Sequence, residues 1–144
     1  MLDFLRLDEA HLEVLDEWFK DEEVLLRLGG ILPLSNWFQY VQKSPYYWAW
    51  LVQEQGRPVG AIWMEKDIDF LTSIALLTHP QLRNQGYGTK MLQTLLKRPE
   101  ISRAQKIEVG IEPDNLASLS CFRKAGFNET GFDKDGFRIL TLEL

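Results

Sequence analysis

Along the chain the apolar positions change period several times, and each change marks an element. Residues 2–7 read as a short strand. Asp8 then stands as a cap before a segment in which Leu12, Leu15 and Phe19 recur at near-helical spacing. A second helix is predicted over Glu22–Leu28, stopping at Gly29-Gly30. Pro33 breaks the chain, and Ser35 is the expected cap of a third helix carrying Trp37, Phe38 and Val41. The run Tyr47-Trp48-Ala49-Trp50-Leu51-Val52 is aromatic and β-branched, as strands are. Gln55-Gly56-Arg57-Pro58 supplies a turn, and residues 59–64 return as the second strand of a hairpin. Residues 70–77 form a further strand, near-continuously apolar at its end and therefore buried. A helix over residues 86–97 turns Met91, Leu92, Leu95 and Leu96 inward. Lys106–Ile111 is a strand, residues 116–125 a helix ending at Gly126, and Asp135-Gly136 a hairpin signal between Asn128–Phe132 and residues 137–142.

Strand, helices, three strands, helix, strand, helix, two strands is the order of an α/β protein, a central mixed sheet with helices on both faces. Neither a repeat nor a linker divides residues 1–144, so a single domain is expected. Composition agrees: 45% of residues are hydrophobic and 12% aromatic, enough for one core. A formal charge of −5 argues against a nucleic-acid partner. Acidic residues crowd the start, from Asp8 and Glu9 to Glu22 and Glu23. They read either as a solvated helix face or as a rim attracting a polyamine-like cation. The lone Cys121 permits no internal disulfide. The first ten residues lack the basic and apolar regions of a secretory leader, and no apolar run approaches ~20 residues. A cytoplasmic protein with no membrane partner is the expectation.

Chemistry concentrates where a buried strand runs into Thr78-His79-Pro80-Gln81-Leu82-Arg83-Asn84-Gln85-Gly86-Tyr87-Gly88-Thr89. Two glycines open a helix there, and the free N–H groups of a first helical turn attract anions, phosphate above all. No Gly-Lys-Ser/Thr follows, which excludes a P-loop. The third glycine of a dinucleotide fold is missing, since Met91 stands in its place. Arg83-x-x-Gly86-x-Gly88 instead resembles the pyrophosphate loop of the GNAT N-acetyltransferases. Downstream, Asn115, Ser118, Phe122, Lys124, Gly126 and Phe127 resemble that family's Asn-x-x-Ala/Ser-x-x-x-Tyr-x-Lys-x-Gly-Phe segment. Leu12, Trp18-Phe19 and residues 55–60 are similar to the branch that contains aminoglycoside 6′-N-acetyltransferases and ribosomal-protein acetyltransferases.

The resemblance implies an acyl-CoA N-acyltransferase fold with a splayed strand pair, a bulge ending the strand before the loop, and acetyl-CoA as co-substrate. It implies no metal. It assigns the pyrophosphate to backbone groups of Gln85, Gly86, Tyr87, Gly88 and Thr89, with Asn84 in the same loop and charge from Arg83. Leu76, Leu77 and Thr78 are assigned to the acyl-pantetheine arm, Leu77 and Thr78 offering backbone groups to the thioester carbonyl as an oxyanion donor would. Asn115 is assigned to the pantetheine and equally to a helix cap; Phe122 and Lys124 complete the set. Phe122 stands where the family often has a tyrosine acid, so no tyrosine acid is expected here.

An amine with pKa ~10.4 must lose a proton before it attacks, which near neutrality costs ~4 kcal/mol. Glu65, Asp67 and Asp69 are candidate bases on the acceptor side, Glu65 first, against the alternative of an exposed acidic turn. Trp37, Tyr46, Tyr47, Trp48 and Trp50 either pack the core or line an acceptor pocket. Cys121 reads as a core thiol, His11 as a surface residue, His79 as positional. The expected function is acetyl transfer to a small amine, an aminoglycoside or a protein amine, in a chain that resembles proteins that often dimerise. A CoA-binding module without turnover is one alternative. An interaction protein using the acidic helices is another.

Overall fold

The computed structural model describes residues 1–67, 71–101 and 104–144. Its strands form one sheet in the order β1-β2-β3-β4-β5-β7-β6. β1 (Leu2–Arg6), β2 (Tyr47–Glu54), β3 (Arg57–Lys66) and β4 (Leu71–Thr78) are successively antiparallel. β5 (Lys106–Ile111) runs parallel to β4, and β7 (Arg138–Glu143) and β6 (Asn128–Phe132) follow antiparallel. α1 (Leu12–Trp18), α2 (Glu22–Leu28) and α3 (Leu34–Lys43) connect β1 to β2, while α4 (Tyr87–Leu95) and α5 (Leu116–Lys124) precede and follow β5.

Strand alternation sorts the core into two layers. Trp50, Val52, Ile62, Met64 and Ile74 face Met91, Leu92 and Leu95 of α4 and Leu119 and Phe122 of α5. Ala49, Leu51, Ala61, Trp63 and Leu77 face Leu15, Trp18, Val24, Trp37 and Phe38 of the first three helices. Each large side chain so buried contributes roughly 1.5–3 kcal/mol of transfer free energy.

The cap of α3 and the β2–β3 turn differ from the sequence reading for local reasons. The residue before α3 is Pro33 in extended backbone, so Ser35 falls inside the first turn instead of capping it. The hairpin turn is Gln55-Gly56 alone, both at positive φ (51° and 77°), as two-residue turns with the right twist require. Arg57 and Pro58 therefore belong to β3. β4 is described from Leu71; the expected start at Phe70 lies outside the described residues.

The feature that positions the site is a partial pairing. β4 and β5 pair only at Leu71↔Lys106 and Thr72↔Ile107, although the strands continue to Thr78 and Ile111. Beyond Thr72 they diverge. The bulge implied for the end of β4 is not found in its pairing with β3, which runs unbroken from Lys66↔Thr72 to Gly60↔Thr78. The register shift lies one strand away, between Val52 and Gln53 against β3.

Candidate active site

The divergence of β4 and β5 opens a cleft of about 1110 Å³. Its walls include Ile74, Leu76 and Thr78 on one side, Val109, Gly110 and Ile111 on the other, and the first turns of α4 and α5 at its mouth. What the β4 wall offers follows from hydrogen-bond parity. The N–H of Asp67 donates to the Leu71 carbonyl and that of His79 to the Val59 carbonyl, at 3.0 and 2.8 Å, at the two ends of the β3–β4 ladder. Bonded and non-bonded pairs alternate in an antiparallel ladder, so the odd-numbered residues of β4 are the ones joined to β3. The N–H and C=O groups of Ile74, Leu76 and Thr78 turn the other way, toward the edge that β5 has left. This corrects the assignment of Leu77, whose backbone groups face Ala61 of β3 and whose side chain is buried under the first helices. Ile74 takes its place among the cleft-facing groups.

At the mouth, Gly86 adopts left-handed backbone (φ 85°) and precedes α4 with no side chain to cap it. The Lys90 N–H, bonded to the Gly86 carbonyl at 3.1 Å, is the first with a helical acceptor. The N–H groups of Tyr87, Gly88 and Thr89 thus have none, and the helix dipole adds positive potential there. Asn84 is also left-handed (φ 64°), curling the loop around the same point. Gln85 is exposed and outside the cleft wall. The Tyr87 hydroxyl donates to Glu54 at 2.6 Å, which pushes the phenol's pKa up and ties α4 to the β2–β3 hairpin. His79 accepts the Gln81 N–H at 3.1 Å and lies tilted against Trp18, ring centroids 5.3 Å apart, a positional role.

Cys121 differs from its sequence reading, and Arg83, which lines the cleft as expected of a loop residue, carries an ion pair that the sequence does not announce. The Arg83 guanidinium donates to Asp21, whose carboxylate also caps α2 by accepting from the Glu23 and Val24 N–H groups at 3.1 Å each. Arg83 first, then the backbone donors, hold the Asp21 carboxyl below the usual carboxylate range. Cys121 is half-buried in the cleft wall instead of in the core. A Cβ added to Gly88 would come within 2.8 Å of its sulfur, so a side chain at 88 crowds the place where α4 meets α5.

The other lip carries Asn115, whose Oδ1 accepts the Ser118 N–H at 3.4 Å to cap α5, together with Phe122 and Lys124. Phe122 sits edge-on to Phe127, ring centroids 5.0 Å apart, and brings no proton to the cleft. Arg27 of α2 was not legible as a site residue. It donates to Glu23 at 2.9 Å and to Glu112 and Asp114 beyond β5 at 3.0 Å each, with only 15% of its side chain exposed. Asp114 foremost raises the guanidinium pKa further, and the Asp114 carboxyl is lowered in turn. α2 is therefore tied to both lips.

Glu65 is not in this cleft. It lines a second cavity of about 270 Å³ that shares Ile74, Ala75, Val109 and Gly110 with the first. Tyr40 donates its hydroxyl to Glu65 Oε2 at 2.5 Å, and that bond raises the Tyr40 pKa. Tyr47, in the same cavity, accepts from Trp37 Nε1 at 2.9 Å; burial pushes its pKa up to about 12, so it keeps its proton at neutral pH. Trp63, Ser73 and Glu108 complete the polar and aromatic lining, and the sequence reading singles out none of them. Of the other candidate bases, Asp67 accepts the Leu71 N–H at 3.0 Å, and Asp69 lies outside the described residues. Trp50 packs in the α4–α5 layer and Tyr46 is 58% exposed, so the aromatic expectation holds for Tyr47 alone as a cavity wall. Among the described residues no group of three His, Cys, Asp or Glu could hold a metal ion, and no helix is long and apolar enough to cross a membrane.

A sheet that parts after two paired residues, with uncapped helical N–H groups at the mouth, defines the architecture of an acyl-CoA acyltransferase. The model of the acetyltransferase (GNAT) family matches residues 10–127. The uncharacterized N-acetyltransferase YfmK of Bacillus subtilis (strain 168) is 33% identical over 141 residues, covering 96% of this chain and 95% of its own. Among solved structures, aminoglycoside acetyltransferase AAC(6′)-Ib in complex with coenzyme A superposes with a TM-score of 0.81 at 21% identity, covering 99% of this chain and 95% of that one. Spermidine N-acetyltransferase from Vibrio cholerae, in complex with CoA and spermine, gives 0.85 at 12% identity, covering 99% and 95%. The chain belongs to the acetyltransferase (GNAT) family, and acetyl-CoA is its co-substrate.

Proposed function

We propose that the chain transfers the acetyl group of acetyl-CoA to a primary amine that enters through the second cavity, with Glu65 as the proton acceptor. The observation that carries this reading is the junction of the two cavities at Ile74, Ala75, Val109 and Gly110, beside the unpaired edge of β4. Relatives in fold are named for aminoglycoside and spermidine acetylation, which supports an amine acceptor.

The N–H groups of Tyr87, Gly88 and Thr89 suit the pyrophosphate, and Lys124 and Asn115 suit the opposite side of the arm. The amide groups of the pantetheine arm are complementary to the free edge of β4, as a third strand would be. The N–H of Leu76 or Thr78 is suited to bond the thioester oxygen as it gains negative charge. The ammonium gives its first proton to Glu65, directly or through one water. The amine lone pair then bonds to the thioester carbon, the carbon–sulfur bond breaks, and sulfur leaves as thiolate. The second proton lost from nitrogen goes to that thiolate, so amide and free thiol are the products. A thiol of pKa ~8.5 leaves readily without an acid, which fits a phenylalanine at 122.

The test is calorimetric titration with acetyl-CoA, then thiol release against a panel of amines. Binding followed by release is expected. Glu65→Gln should lower kcat about 10²-fold or more near neutral pH. The deficit should shrink toward pH ~10, where the amine loses its proton unaided. An equal deficit at all pH values would remove Glu65 from that role. Binding with no release for any amine would favour a CoA-binding module, the reading that Phe122 also suits.

A further inference from the structure

We propose that the acceptor end selects a slender aliphatic amine carrying a second cationic nitrogen, with Glu65 and Glu108 as paired recognition carboxylates. The inference rests on the acetyl-transfer reading and names the substrate class of that same site. It starts from register. Tyr47 pairs with Glu65, Glu65 with Ser73, and Glu108 with Thr141. Extending Leu71↔Lys106 and Thr72↔Ile107 by one residue sets Ser73 beside Glu108. These residues form one polar row across five strands, at the level where β4 and β5 begin to part.

Paired residues share a face of the sheet. The odd residues Ile107, Val109 and Ile111 of β5 are packed under α4 and α5, so Glu108 and Gly110 belong to the opposite face. That is the face of Trp63, Glu65 and Ala75. The neighbouring row is Trp63, Ala75 and Gly110, a wall that falls away to small residues toward the cleft. Two adjacent rows thus make the cavity, the polar one at its base.

Charge decides what fits. Among the described residues the cavity lining holds two carboxylates and no cation. Tyr40 occupies one Glu65 oxygen, and Lys106 reaches Glu108 only at 4.0 Å from the side, with 44% of its own side chain exposed. Glu65 and Glu108 are two strands apart, about 10 Å between backbones, with Ser73 between them. Side chains leaning inward from that separation suit the two ammonium ends of a short diamine. One nitrogen sheds its proton beside Glu65 and reacts; the other stays charged at Glu108. A volume of about 270 Å³ lies below the ~300 Å³ at which pockets for drug-sized ligands begin, which suits an alkyl chain over a ring system. The rings of Tyr47 and Trp63 add aromatic walls that receive cations.

The experiment uses the purified chain, acetyl-CoA and thiol release. It compares propane-, butane- and pentanediamine with propyl-, butyl- and pentylamine. Diamines should exceed monoamines of the same length in kcat/KM by about fivefold or more, the upper range for a partly exposed ion pair. Glu108→Gln should bring that ratio close to one while its melting curve stays near the parent's, and Glu108→Asp should keep part of it. Equal rates for the two series in the parent, or an undiminished ratio in Glu108→Gln, overturns the inference and leaves acetyl transfer standing. Failure to bind acetyl-CoA, or to release thiol with any amine, overturns the transfer reading and this inference together.

Discussion

Gly88 lies in the phosphate-loop pattern, yet the structure gives it a second duty that can be measured separately. A Cβ built at Gly88 would be 2.8 Å from Cys121 Sγ, 3.5 Å from Leu76 Cδ1 and 3.6 Å from Thr78 Oγ1. The last two are ordinary contacts. The first is roughly 1 Å inside the separation of a comfortable nonbonded pair. Gly88→Ala should therefore cost about 1–3 kcal/mol by overpacking the α4–α5 contact, against a helix-propensity gain of about 1 kcal/mol. Cys121→Ala removes the one clashing atom. In the double variant the cost should largely disappear, a coupling of about 1 kcal/mol or more between the two sites.

Urea unfolding of the parent, the two single variants and the double gives the four corners of the cycle, provided the m-value stays constant. Acetyl-CoA titration of the same four proteins separates packing from binding. If Gly88 serves mainly helix packing, stability and affinity both recover in the double variant. If stability changes are additive, the 2.8 Å contact does not constrain the fold and the reasoning fails. Recovery of stability without recovery of affinity would assign Gly88 to the ligand.

Gly86 behaves differently, because a Cβ there meets nothing within 4 Å while its φ is 85°. Gly86→Ala should cost about 1–2 kcal/mol of backbone strain that no second substitution relieves, and should weaken acetyl-CoA binding; unchanged affinity in the folded variant would remove the loop from the site. Arg27→Met should lower stability, because Glu23, Glu112 and Asp114 lose their shared partner, and urea unfolding reads the change. Asp114 and Asp21 have folded pKa values lowered by their arginines, so their contribution is present above ~pH 4 and is lost as pH falls through the lowered values. Melting temperature against pH should accordingly show a shallower acid limb in Arg27→Met, and an identical limb would contradict the pairing. Phe122→Tyr should change kcat by less than about tenfold, since the leaving thiolate needs little help; a rise of ~10² or more would show that a missing acid limits the enzyme.

Much of the sheet was legible because its signals are local. Asn128–Phe132 and Lys106–Ile111 are found where period and turn residues put them, and Gly29 and Gly126 end helices as expected. The left-handed turn into α4 at Gly86 is legible for the same reason, as glycine spacing is a short-range pattern. Arg27 was not, because its partners Glu112 and Asp114 lie 85 and 87 residues away and nothing near Arg27 announces them. Leu77 was misassigned because a strand's apolar run does not say which residues bond which neighbour; that parity comes from the register with β3. Glu108 stood in the open, alternating with Ile107 and Val109, but it reads as the polar side of any strand until Ser73 is set beside it. Cys121 was read as core because its helix supplies core residues on either side, whereas its sulfur points at a glycine in another helix.

The unpaired stretch of the sheet leaves a question of what sets the width of the cleft. Above Thr72 no ladder joins β4 to β5. Besides the packing of α4 on α5, α2 bridges the two sides, through Asp21 to Arg83 on the β4 side and through Arg27 to Glu112 and Asp114 on the β5 side. Spacing held by ion pairs is softer than spacing held by a ladder, and salt screens it. An anion that took the place of Asp21 on Arg83 would give up only about 0.2–1 kcal/mol, the usual worth of a partly exposed pair. Asp21 keeps its bonds to the Glu23 and Val24 N–H groups when that happens, so α2 stays capped while its tie to the loop is exchanged for the ligand. Arg27 holds the far lip throughout, with three carboxylates around one guanidinium. Of the two ties, the one on the β5 side joins more carboxylates to a less exposed guanidinium, so it should be the harder to break.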